Sequence, residues 1–207
     1  MAFYPTVLST TNNTTVKTAI QTESVISKTP IGSMPSGLST ITCAEYTQGT
    51  LVTAVLTLNG FVIGAIPAAN AALGVGSAIY SFPAGDQHLE TAYSFWGLAL
   101  TLPSTGVVCT TGLGSVVASG VVSVLSGTAT FQDRLTGQSI TSAAGGGTAV
   151  NAGPVGATAG IQTGIALNGT GAIKTVYLNS AGTFGTANAG NLTATGQIFI
   201  QWSRFSS

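Results

Sequence analysis

The chain has 207 residues, of which only 5% are Asp, Glu, Lys or Arg, and its formal net charge is zero. A typical soluble domain carries about 25% charged residues, so this surface must be built from Thr, Ser, Asn, Gln, Gly and Ala. The five basic residues form no patch or stripe, which argues against a nucleic-acid binder, and no window approaches the roughly 18 uninterrupted apolar residues of a membrane helix. A chain of this length can bury about 70% of its unfolded surface without disulfides or metal, and a net charge near zero favours self-association.

Residues 1–40 differ from the remainder. They are polar and β-branched, are interrupted by Pro5, Pro30 and Pro35, and hold Lys17, Glu23 and Lys28. A segment of this kind cannot bury enough apolar surface to offset its ordering entropy. It is expected to be an extended N-terminal arm held by neighbouring chains, with Phe3, Tyr4, Val7, Leu8, Val16, Ile20, Ile26 and Ile31 as its candidate interface residues. The start of the chain has no basic n-region followed by an apolar run, so no secretory signal is read there.

Residues 41–207 are expected to form one β-domain. The apolar run 51–58, the pair Asn59-Gly60 and the run 61–66 read as a hairpin, because Asn-Gly suits a turn with both central residues at positive φ. A strand over 78–82 follows, closed by Pro83. The long segment 88–102 alternates with apolar residues on both faces, which suggests a central strand of a sandwich. Residues 116–125 and 129–132 read as further strands. Residues 141–170 hold eight glycines and no charge or aromatic, and read as a long loop or a pair of weak strands. The strands 173–179 and 192–202 close the chain. In the last, Ile198, Ile200 and Trp202 face one way while Gln197, Phe199 and Gln201 face the other. Helical periodicity is absent from every long segment, and Val, Thr and Ile abound. The fold class is therefore all-β: an antiparallel β-sandwich of jelly-roll or Greek-key type with an N-terminal arm.

Residues that could carry chemistry are few. His88 is the only histidine, flanked by Asp86 and Glu90; a zinc site normally takes three or four Cys, His or carboxylate ligands, and no nucleophile elbow is present. These three residues read as a strand start beside a turn. Cys43 and Cys109 form no CxxC pair and read as two thiols packed as small hydrophobes. The glycine runs at 112–114 and 145–147 open no helix and precede no Lys-Ser/Thr pair, so they are not phosphate loops. Asp133 and Arg134 read as a solvated ion pair. The aromatics Tyr80, Phe82, Tyr93, Phe95, Trp96, Tyr177, Phe199 and Trp202 read as core, too dispersed for a carbohydrate platform. No catalytic residue, cofactor or metal is expected, and the chain reads as a non-enzyme.

The block Gly76-Ser-Ala-Ile-Tyr-Ser-Phe-Pro-Ala-Gly85 with its following long strand, residues 114–120, the run Val176-Tyr-Leu-Asn179 with residues 181–184, and the closing strand 192–202 resemble a class of tailed-bacteriophage virion structural proteins. The resemblance covers roughly residues 73–203 and rests on packing and turn patterns. It implies a capsid decoration or cement protein on the virion surface, a dimer or trimer, with the major capsid protein as partner and no nucleic acid or membrane involved. A tail-associated receptor-binding protein or adhesin is the alternative that this resemblance leaves open.

Overall fold

The computed structural model describes residues 25–27, 32–34, 40–68, 72–83, 87–104, 106–152, 165–167 and 174–205. Eleven strands run through them: β1 Val25–Ser27, β2 Ile41–Gln48, β3 Leu51–Ile66, β4 Ala72–Phe82, β5 Gln87–Thr101, β6 Val108–Gly114, β7 Leu135–Thr141, β8 Val150–Ala152, β9 Ile165–Leu167, β10 Lys174–Thr183 and β11 Gly190–Phe205. They form two antiparallel sheets. The larger is ordered β1-β2-β3-β11-β5-β8, with β9 also pairing β5, and the smaller is β4-β10-β6-β7. The facing sets β3-β11-β5-β8 and β4-β10-β6-β7 have the strand order of a jelly roll, in which the chain changes sheet at most connections. The expected all-β sandwich is the fold observed.

The core is the contact between the two inner faces. Val52, Ala54, Leu56 and Leu58 of β3, Ile198, Ile200 and Trp202 of β11, and Val176 and Leu178 of β10 are all buried in one cluster. Period-two alternation delivers them, since successive strand side chains point to opposite faces. Phe82 stands edge-on to Trp202, with centroids 5.6 Å apart, and edge-on to Tyr80 at 5.3 Å. Such T-shaped pairs are worth about 0.5–1.5 kcal/mol each beyond area burial.

The expected hairpin at Asn59-Gly60 is not formed. β3 runs unbroken from Leu51 to Ile66, and Gly60 is an extra residue in its ladder with β11: Asn59 pairs Thr195 and Phe61 pairs Ala194. Gly60 takes φ +69°, so this is a glycine bulge rather than a turn. The bulge shifts the alternation by one residue, and burial passes from Leu58 to Phe61 and Ile63.

The two apolar faces expected for 88–102 have the same cause. Gly97, at φ +59°, is the extra residue between the pairs Trp96–Gln197 and Ala99–Thr195. Before it Tyr93 and Phe95 point inward; after it Leu98 and Leu100 do. The strand has one buried face, whose parity changes midway.

Residues 116–125 and 129–132 are not strands. They belong to a cover that crosses the outer side of the smaller sheet, with short 3-10 turns at Leu125–Gly127 and Ala129–Phe131. Leu125, Phe131 and Ala118 close a second, small core on Ala181 of β10. Within 141–170, the described part supplies the short strands β8 and β9.

Candidate interaction surfaces

Two short parts of the expected arm are joined to the sandwich. β1 adds to the edge of the larger sheet, placing Ile26 opposite Tyr46. Ser33 exchanges two backbone hydrogen bonds with Ser81 of β4, at 2.8 and 2.6 Å. Between them lies a buried polar node. The Glu45 carboxylate on β2 accepts from the Gly32 amide at 3.0 Å and from the Tyr80 hydroxyl at 2.8 Å, and the Trp202 indole donates to the Tyr80 oxygen at 3.1 Å. A side chain on Gly32 would collide with the Tyr80 ring. Glu45 thus fixes the point at which the N-terminal segment meets both sheets. Burial pushes the Tyr80 phenol up, with the neighbouring Glu45 charge adding to it, and the same two causes push the Cys43 thiol up to about 12. Phe3, Tyr4, Val7, Leu8, Val16, Ile20 and Ile31 lie outside the described residues.

The cover over the smaller sheet is fastened by side chains. Buried Asn179 accepts from the Ala118 amide at 2.9 Å and donates to the carbonyls of Val116 and Phe131, both at 2.8 Å. Asp133 accepts from the amide and hydroxyl of Ser115 at 2.7 and 2.6 Å. The expected solvated pair is therefore corrected. Arg134 is buried, its Nε lies 3.9 Å from Asp133, and burial lowers its guanidinium to about 10. Held this way, the cover presents Val116, Val117, Val121 and Val124 outward, with Val121 83% exposed. Residues 115–132 contain no charged side chain.

The described middle of the larger sheet's outer face is a second surface without charged side chains. Strand register sets three rows across β2, β3, β11 and β5: Thr42, Thr57, Gln197 and Trp96; then Ala44, Val55, Phe199 and Ser94; then Tyr46, Thr53, Gln201 and Ala92. Trp96 is 62% exposed and Tyr46 41%, and Phe199 between them is half-buried. Gln197 donates to Thr57 and Gln201 to Thr53, each at 3.4 Å. Trp96 thus departs from its expected core position: it alternates with the inward Phe95, and the Gly97 bulge turns inward only the residues that follow, Leu98 and Leu100. Tyr177 is half-buried, while Tyr80, Phe82, Tyr93, Phe95 and Trp202 are core as expected.

Among the residues whose side chains are described, Lys174 and Arg204 are the exposed charged ones, and no group of three His, Cys, Asp or Glu among the described residues could hold a metal ion. Cys43 and Cys109 are free thiols. His88 and Glu90 lie on β5, with backbones opposite Arg204 and Trp202; Asp86 lies outside the described residues.

Comparisons with protein-family models, curated proteins and solved structures give no match.

Proposed function

We propose that this chain is a structural protein of a virus particle, a decoration or cement protein that docks on the outer capsid surface and acts without catalysis. One observation carries the reading: the cover over the smaller sheet holds four outward valines on a charge-free backbone pinned by Asn179 and Asp133. An exposed apolar patch of this kind marks an interaction site, and a patch already rigid loses little entropy on docking. Scarcity of exposed charge supports it, since a surface that will be covered has little use for solvating charges. The jelly-roll order is found in capsid proteins as well as lectins, which supports the class but not the role.

In this reading the cover lies on the major capsid protein, the N-terminal segment reaches neighbouring subunits, and the protein is a dimer or trimer. Repetition over a lattice then turns modest contacts into firm attachment. The test is co-sedimentation of purified protein with capsids lacking it. Val121→Asp together with Val124→Asp should abolish binding while circular dichroism stays native. Deleting residues 1–24 should weaken binding and leave the sandwich folded. Undiminished binding by the double valine variant would overturn the assignment of the docking face.

A further inference from the structure

The outer face of the larger sheet is spent by neither the core nor the valine cover. We infer that it is a binding face for a neutral glycan chain, with Trp96, Phe199 and Tyr46 as the stacking platform and the amides of Gln197 and Gln201 as its polar contacts. The register places the three aromatics on a diagonal: Trp96 at the β5 end of the first row, Phe199 in the middle row on β11, Tyr46 at the β2 end of the third. With strands about 4.8 Å apart and two residues spanning about 6.7 Å, this diagonal is roughly 20 Å long, the reach of a short oligosaccharide.

Sugar rings combine apolar C–H faces with a rim of hydroxyls, and the face offers a partner for each. An aromatic ring carries a negative π-face that attracts the polarised C–H groups. A glutamine amide both donates and accepts, as a hydroxyl pair requires. Gln197 and Gln201 flank Phe199 along one strand, and each uses one N–H on a threonine hydroxyl of β3. That bond steadies the amide and leaves its carbonyl and second N–H for a ligand.

The occupant follows from charge and area. None of the residues in the three rows is charged, so the face offers nothing to a phosphate, a uronic acid or a basic peptide. Four strands by three rows give a footprint of about 400 Å², half of the roughly 800 Å² per partner of a stable protein interface. A second copy stacked here would be underheld, whereas a few sugar rings would be fully served.

This inference does not rest on the capsid reading, and its experiment uses the free protein. The full chain is run in native gels containing laminarin, dextran, galactomannan or hydroxyethylcellulose, with polygalacturonate as the charged comparison. At least one neutral polysaccharide should retard it, and the same polymer should change the emission of Trp96, since Trp202 is buried in the core. Trp96→Ala should weaken retardation at least tenfold, and Gln197→Ala should weaken it severalfold, with thermal unfolding unchanged in both. Val121→Asp, on the cover, should bind the polymer as the parent does. Retardation by none of the neutral polymers, retardation by polygalacturonate alone, or equal retardation of Trp96→Ala would each overturn the inference. So would a dimer in solution that Trp96→Ala dissociates, which would assign the face to a second copy.

Discussion

The Tyr80 hydroxyl donates to Glu45 Oε1 at 2.8 Å, and through this bond a residue of the smaller sheet holds a buried carboxylate of the larger one. Tyr80→Phe removes a donor from Glu45 and an acceptor from the Trp202 indole. Glu45 keeps its bond from the Gly32 amide; losing one hydrogen bond to a charged group and one neutral one costs about 1.5–3 and 0.5–1.5 kcal/mol, so the variant should lose roughly 2–4 kcal/mol. Urea unfolding with an unchanged slope would check this.

Gly97→Ala isolates backbone strain. No atom lies within 4 Å of a Cβ built there, yet φ is +59°. The loss should be about 1–2 kcal/mol, and Gly97→Asn should lose less, because Asn tolerates the left-handed region. Equal losses for the two variants would assign the cost to something other than backbone conformation.

Asn179→Leu removes three hydrogen bonds between β10 and the cover. The amide of Ala118 and the carbonyls of Val116 and Phe131 lose that partner, a cost of about 3 kcal/mol or more. The cover should loosen before the sandwich does. Hydrogen exchange should accelerate over residues 115–131 while the inner strands β3 and β11 keep their protection.

Alkaline pH should destabilise the fold. Burial raises Cys43 to about 12 and also raises Cys109, Tyr80 and Tyr93. In the unfolded chain thiols ionise near 8.5 and phenols near 10. Above those values the unfolded state has released protons that the native state still binds, and stability falls as pH rises. Arg134 acts oppositely: lowered to about 10 by burial, it sheds its proton first in the native state, which relieves the cost of burying a cation. Four groups against one leave a net decline from about pH 9 upward. Of the five tyrosines, Tyr80 and Tyr93 should give tyrosinate absorbance only as circular dichroism reports unfolding.

Much of the sandwich was legible because strand alternation is a local signal. The inward set Ile198, Ile200 and Trp202 could be read directly from period two, and their burial follows. Asn59-Gly60 misled because a turn and a bulge demand the same glycine; the partner that decides between them, Thr195 on β11, lies far along the chain. Gly97 hid its parity change for the same reason. The run 116–125 has strand composition, but its hydrogen bonds go to Asn179, to Thr130 and, at Gly120 alone, to Gly74 of β4, and form no ladder. Glu45 gave no sign of burial, since its partners Gly32 and Tyr80 come from other parts of the chain. The aromatic diagonal exists only once four strands are in register.

The bulges at Gly60 and Gly97 flank β11 at one level, both beside Thr195. Removing a residue from the middle of a strand ordinarily turns everything beyond it inside out. Here each glycine is surplus to its ladder. Without Gly97, Trp96 would still face Gln197 and Ala99 would still face Thr195, with Leu98 between them and inward. Two interior strand positions can therefore shorten without scrambling the core, at the price of a flatter sheet, since bulges increase local twist. Descendants of this chain could vary in length where sandwiches usually cannot, and the curvature of the Trp96 face would be the property that such variation tunes.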